Sequence, residues 1–151
     1  MAKKILIVDD ETNLVKMVES RLKANGYEVI IAKNGKEGFE KAKAGKPDLI
    51  LLDIIMPVMN GEEALKKLKQ DEDTKSIPVI MLTAKGEVDE IVKNLVQLGA
   101  TDYIVKPYVA IELLMKIDSV LQPGKKLPST CEFLLDTIEE KVKKTLEGNK
   151  K

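Results

Sequence analysis

Three aspartates, one threonine and one lysine carry the chemistry that this chain offers. Asp53 closes the apolar run Leu49-Ile50-Leu51-Leu52 and is followed by Ile54-Ile55-Met56-Pro57 and a turn at Gly61, so a carboxylate stands at the tip of a buried strand. Asp9 and Asp10 follow the run Ile5-Leu6-Ile7-Val8, Thr83 follows Val79-Ile80-Met81-Leu82, and Lys106 follows Tyr103-Ile104-Val105. Short apolar runs with turn signals after them fit buried strands of a parallel sheet, where ligands bind just beyond the carboxyl ends. Clustered carboxylates raise one another's pKa and oppose folding unless a cation sits among them. Ligation by one or two carboxylates and several waters is what Mg²⁺ prefers, and it leaves room for a phosphate oxygen. A divalent ion there also cancels the repulsion between a carboxylate and an incoming phosphoryl group. Lys106 can supply a second positive charge and Thr83 a hydrogen bond to a phosphoryl oxygen, which is most of what phosphoryl transfer needs. Asp53 is then the natural nucleophile, and the product is an acyl phosphate.

The elements that position these residues are read from hydrophobic periodicity. Strand-length apolar runs recur at residues 5–8, 28–32, 49–52, 79–82 and 103–105, separated by helical stretches at about 11–24, 36–44, 62–70, 88–98 and 111–121. Five strands alternating with five helices indicate an α/β fold, a doubly wound parallel sheet. Gly26, Gly45 and Gly99 follow three of the helical stretches as C-terminal stops. Right-handed crossovers place every carboxyl end on one edge, so the three acids, the hydroxyl and the ammonium converge on one rim.

Composition narrows the rest. At 151 residues, 44% hydrophobic, the chain suits one well-buried core with an appendage. Lys+Arg and Asp+Glu are both 25 and Arg21 is the only arginine, so no basic surplus supports direct nucleic-acid binding. The sequence contains no histidine, which removes Ser/His and Cys/His triads, histidine metal sites and a histidine phosphoacceptor. Cys131 is the single cysteine, which excludes an intramolecular disulfide and fits a reducing cytosol. The first strand begins almost at once and no apolar run approaches membrane-spanning length, so the chain reads as soluble and cytoplasmic.

Beyond Leu121 the pattern changes. Residues 123–129 read as a linker between a first domain at 1–122 and an amphipathic helix and tail at 130–151. Leu134, Leu135, Ile138, Val142 and Leu146 form one apolar stripe, with acids crowding the first half of the helix and lysines the second, as the helix dipole favours. That stripe can fold back, pair with a second copy in a homodimer, or dock on a partner.

The motifs Val8-Asp9-Asp10-Glu11, Leu51 to Gly61 around Asp53, Met81-Leu82-Thr83-Ala84 and Gly99 to Tyr108 around Lys106 stand in order at strand ends. In this they resemble the receiver domain of two-component response regulators over about residues 3–122, and the whole looks like a single-domain, chemotaxis-regulator-like member. The resemblance implies a flavodoxin-like sheet of order 2-1-3-4-5 with helices on both faces. It further implies that Asp53 takes a phosphoryl group from a sensor histidine kinase or phosphotransfer protein. Mg²⁺ would be held by Asp10, Asp53 and the Ile55 carbonyl, with Asp9 acting mostly through water. Thr83 and Lys106 would grip the phosphoryl group, the Lys106-Pro107 bond would be cis, and Tyr103 would occupy the switch aromatic position. Phosphorylation would bias the face made by residues 88–98, 103–105 and 111–121 toward a downstream protein partner. Ile55 and Lys85 occupy positions that tune phosphoryl lifetime in the family. Lys116 stands where transcription-factor members often carry an arginine in a dimer salt bridge.

Two other readings stand beside this one. A phosphatase working through aspartyl phosphate also places Asp at a strand end beside Mg²⁺, but usually carries a second Asp two residues later, where this chain has Ile55. A receiver-like adaptor would bind partners without phosphorylation. Under the leading reading the chain is no enzyme in the ordinary sense, since it acts only on its own phosphoryl group.

Overall fold

The apolar runs at 5–8 and 49–52 become the most deeply buried strands because a parallel sheet covered on both faces offers no wet side to either. A computed structural model of the protein describes residues 3–54, 59–84, 97–106 and 108–121. Along the chain the described elements are β1 (Lys4–Val8), α1 (Thr12–Ala24), β2 (Glu28–Ala32), α2 (Gly35–Gly45), β3 (Leu49–Asp53), α3 (Gly61–Gln70), β4 (Val79–Ala84), β5 (Asp102–Lys106) and α4 (Ala110–Leu121). The strands form one all-parallel sheet in the order β2-β1-β3-β4-β5. The right-handed crossover rule then puts α1 on one face and α2 and α3 on the other.

One core cluster joins Leu6, Val8, Ile50, Leu52, Val79 and Met81 of the sheet to Ala42 of α2 and to Ala64, Leu65 and Leu68 of α3. Ile5, Ile7, Leu49, Leu51, Ile80 and Leu82 alternate to the opposite face and are equally buried. By the same alternation Asp9 and Asp53 follow the second set.

The strands β4 and β5 run further than their apolar runs. Thr83 pairs with Val105 and Ala84 with Lys106, so Thr83 and Lys106 lie within paired strands rather than just past them. A hydrophobicity reading stops at the first polar residue, whereas the backbone ladder continues as long as its neighbour does. A second difference concerns α2. Gly45 is its last helical residue, and the left-handed residue that ends the helix is Lys46, at φ 45°. Gly45 serves close packing instead, since a Cβ there would lie 2.8 Å from Ile30 Cδ1.

The chain separates into two compact units, Met1–Ala110 and Ile111–Lys151. The first holds the sheet, α1 to α3 and every residue of the rim. Nearly all of α4 belongs to the second, and Leu113 and Ile117 of that helix are buried. The helix expected at 88–98, apart from its last two positions, and the linker and terminal helix expected beyond residue 122 lie outside the described residues. Among the described residues no helix is long and apolar enough to cross a membrane.

Candidate functional site

β1 and β3 are neighbours in the sheet, with Val8 paired to Leu52, so Asp9 and Asp53 leave it side by side. Asp53 is the last residue of β3 and pairs with Leu82, while Ile54 N–H still donates to the Leu82 carbonyl at 3.3 Å. Thr83 therefore stands one position beyond the partner of Asp53 and is 1% exposed. Lys106, at the end of β5, reaches back over β4 to the carboxylates. Its Nζ donates to Asp9 Oδ2 at 2.9 Å and to Asp53 Oδ2 at 3.3 Å, and lies 3.7 Å from Glu11 Oε1.

Asp9, Asp10 and Asp53 each offer a carboxylate oxygen, and these oxygens all lie within 4.8 Å of one another. Asp9 is buried and Asp10 exposed. Asp9 Oδ1 also accepts the Glu11 N–H at 3.0 Å, which fixes the turn from β1 into α1. Lys106 pairs with Asp9, Asp53 and Glu11, and Asp10 adds a fourth carboxylate, so among the described residues the cluster keeps an excess of negative charge that a divalent cation can neutralise. All of its donors are hard oxygens, and one side faces solvent, as a hydrated Mg²⁺ requires.

The electrostatics follow from this crowding. Burial first, and the charge of Asp9 second, push the Asp53 carboxyl up to about 6, against the opposing pull of Lys106. Burial alone would depress the Lys106 ammonium. The bond to Asp9 and the charges of Asp53, Asp9 and Glu11 together outweigh it and hold its pKa above the ordinary lysine value. Tyr108, two residues on, has its phenol pushed up to about 12, chiefly by burial and further by Asp9, Asp53 and Glu11.

Gly61 ties the start of α3 to the end of β3. Gly61 N–H donates to the Ile54 carbonyl at 2.7 Å, and a Cβ on Gly61 would stand 2.2 Å from the Asp53 carbonyl oxygen. Asn60 caps α3 by accepting the Glu63 N–H at 2.9 Å.

Of the residues singled out in the sequence, Asp9, Asp10, Asp53 and Lys106 come together, and Thr83 lies at the adjoining strand end. Tyr103 is half-buried against the core cluster. Ile55, Lys85 and Pro107 lie outside the described residues. Glu11 and Tyr108 close two of the sequence motifs, which give neither a role. Glu11 reads locally as an ordinary first-turn acid, and only the turn at Asp9 brings it to Lys106.

A 2-1-3-4-5 parallel sheet that gathers aspartates and a lysine at its carboxyl edge defines a class, and residues 5–118 match the family model described as response regulator receiver domain. The chain belongs to that family. Among curated relatives it is 38% identical over 142 residues to the alkaline phosphatase synthesis transcriptional regulatory protein PhoP of Bacillus subtilis, covering 94% of this chain and 58% of that protein. It is 42% identical over 153 residues to the phosphate regulon transcriptional regulatory protein PhoB of Pseudomonas aeruginosa, covering 98% of this chain and 66% of that protein. The chain thus spans less than two thirds of the length of either relative. Among solved structures, the chemotaxis protein CheY4 of Vibrio cholerae superposes with a TM-score of 0.75 at 35% identity, over 80% of this chain and 100% of that one. The receiver domain of the sensor histidine kinase PA1611 of Pseudomonas aeruginosa, solved with a magnesium ion coordinated in its active-site cleft, superposes with a TM-score of 0.73. That match is 28% identical and covers 80% of this chain and 98% of that one.

Proposed function

We propose that the protein is the phosphoacceptor of a two-component phosphorelay, with Asp53 as the residue phosphorylated. The single observation that carries this reading is the Lys106 ammonium, bonded at once to Asp9 and Asp53 inside an acidic cluster that retains excess negative charge. Asp9, Asp10 and Asp53, with the carbonyl of Ile55, are the groups that would hold Mg²⁺. When bound, the ion would neutralise both the attacking carboxylate and the phosphoryl oxygens.

An Asp53 oxygen forms the new bond to phosphorus while the phosphorus–nitrogen bond of a phosphohistidine on a kinase or phosphotransfer protein breaks. The bonding pair leaves on the imidazole nitrogen. Lys106 exchanges a carboxylate partner for the incoming phosphoryl oxygen, and the Thr83 hydroxyl donates a hydrogen bond to a second one. Loss of the pairing between Lys106 and Asp53 is the local event that biases the switch, with Tyr103 following Thr83. The output is protein–protein contact through the face that includes β5.

We assign the receiver to 1–122, a linker to 123–129 and a terminal amphipathic helix to 130–151, and the lone Cys131 fits a cytoplasmic setting. The chain carries out no turnover beyond its own phosphorylation and dephosphorylation. Intact-protein mass after incubation with acetyl phosphate tests the proposal: a single phosphoryl adduct that needs Mg²⁺ is the expected result. Sustained hydrolysis of small phosphate esters would favour a phosphatase instead.

A further inference from the structure

We propose that Gly35, the first residue of α2, is a positioning residue for this phosphoryl transfer: its backbone N–H holds the Met59 carbonyl and so fixes the chain that runs from Asp53 into α3. The inference rests on the phosphoacceptor reading above and deepens it.

The first N–H groups of a helix have no partner within it and are usually met by a cap or by water. In α2 the Asn34 side chain accepts the Glu37 N–H at 2.9 Å, and the Gly35 N–H is given instead to Met59 at 3.1 Å. Residues 35 and 59 belong to different connections of the sheet, so this bond ties the start of one helix to the approach to the next. It is also the reason for the glycine. Gly35 has no left-handed backbone, but a Cβ there would lie 2.6 Å from the Met59 carbonyl oxygen and 3.0 Å from both Ala64 Cβ and Met59 Cγ. The nearest obstacle is backbone, which cannot swing aside as a side-chain end does.

The consequence reaches the site from two directions. Gly61 N–H bonds the Ile54 carbonyl, and Gly35 holds Met59, two residues before Gly61. Ile55, whose carbonyl is assigned to the metal, lies between those two fixed points in the sequence. One turn further along α2, a Cβ on Gly38 would stand 2.8 Å from Val8 Cγ2, and Val8 precedes Asp9. The same helix face thus rests on the strand that leads into Asp9 and on Met59 and Ala64 at the start of α3. Displacing Met59 disturbs Gly61 two residues on, and through the Gly61 contacts with Ile54 and the Asp53 carbonyl it reaches the backbone that carries the Asp53 carboxylate.

The test uses the full chain and compares Gly35→Ala with Gly45→Ala. The second adds the same methyl to the same helix, but against the movable Cδ1 of Ile30. Mg²⁺ affinity is read by titration calorimetry and the initial rate of labelling by acetyl phosphate from intact mass, with urea stability measured beside both. Because sub-ångström to ångström misplacement of reacting groups costs up to about 100-fold, Gly35→Ala should lower affinity and rate by about 10-fold or more. Gly45→Ala should leave both within about 2-fold of wild type, whatever its stability, because its methyl disturbs none of the metal-facing groups. Gly35→Ala behaving like Gly45→Ala overturns the inference. Should Gly35→Ala fail to fold, the wild-type Gly35 amide resonance decides: it should move when Mg²⁺ and beryllofluoride are added, and a stationary resonance overturns the proposal. A wild-type protein that takes up no phosphoryl group would instead refute the phosphoacceptor reading itself.

Discussion

Replacing Asp53 by Asn should make the metal-free protein more stable at neutral pH. The Asp53 side chain is 11% exposed and sits beside Asp9, and its carboxyl is held at about 6 against an ordinary 3.8, first by burial and then by the Asp9 charge. A group whose folded pKa is raised binds its proton more tightly in the folded state. Its contribution is therefore fully favourable below pH 3.8 and is lost as pH rises through about 6. Above that, the folded protein carries an ionised carboxylate that the unfolded chain would hold at less cost. The displacement corresponds to about 3 kcal/mol, and solvent screening at the open side of the cleft reduces it to roughly 1–2 kcal/mol.

Asparagine keeps the shape and removes the charge. Urea unfolding without Mg²⁺ should therefore show Asp53→Asn more stable than wild type by roughly 1–2 kcal/mol at pH 7.5, and nearly equal to it at pH 4. Saturating Mg²⁺ should narrow the difference at pH 7.5, because the wild-type cluster gains more from the cation than the substituted one does. A variant less stable than wild type at pH 7.5, or one whose advantage persists unchanged at pH 4, would refute the claim that Asp53 is strained by uncompensated charge.

Further expectations follow from the same contacts. Lys106→Ala leaves Asp9 and Asp53 buried without their ammonium and should cost roughly 3 kcal/mol in urea unfolding without metal. It should still bind Mg²⁺ by calorimetry yet lose most of the amide shifts that phosphorylation or beryllofluoride induces in the wild type. Gly61→Ala forces a methyl to within 2.2 Å of the Asp53 carbonyl oxygen, so it should lose about 3 kcal/mol of stability and most acetyl phosphate labelling. Asn60→Ala removes the cap of α3 and should cost about 1 kcal/mol, seen as a lower urea midpoint with an unchanged slope.

The strands and the rim were legible because each buried run stops at a residue too polar to be there without a purpose. Asp9, Asp53, Thr83 and Lys106 stand at those stops, and parallel topology alone sends all four to one edge. What stayed illegible depends on contacts between distant parts of the chain. The length of β4 and β5 is set by mutual pairing through Ala84 and Lys106, and no single-strand pattern reports that. Gly45 is followed by a helix end, so it imitates a stop signal, while its neighbour Lys46 takes the left-handed turn. Nothing in the sequence singles out Gly35, because its bond to Met59 spans two connections. Glu11 and Tyr108 belong to the charge environment of Lys106 for the same reason: each looks local until the sheet edge folds around it.

Whether Asp53 itself carries the phosphoryl group is decided by borohydride trapping. The protein is labelled with acetyl phosphate and Mg²⁺, reduced, digested and mapped by peptide mass, since reduction converts an aspartyl phosphate to homoserine at the modified position. Homoserine is expected at position 53 alone, dependent on Mg²⁺ and absent from Asp53→Asn. Homoserine at Asp9 or Asp10, or an adduct on wild type that survives in Asp53→Asn, would rule out Asp53 as the phosphorylated residue.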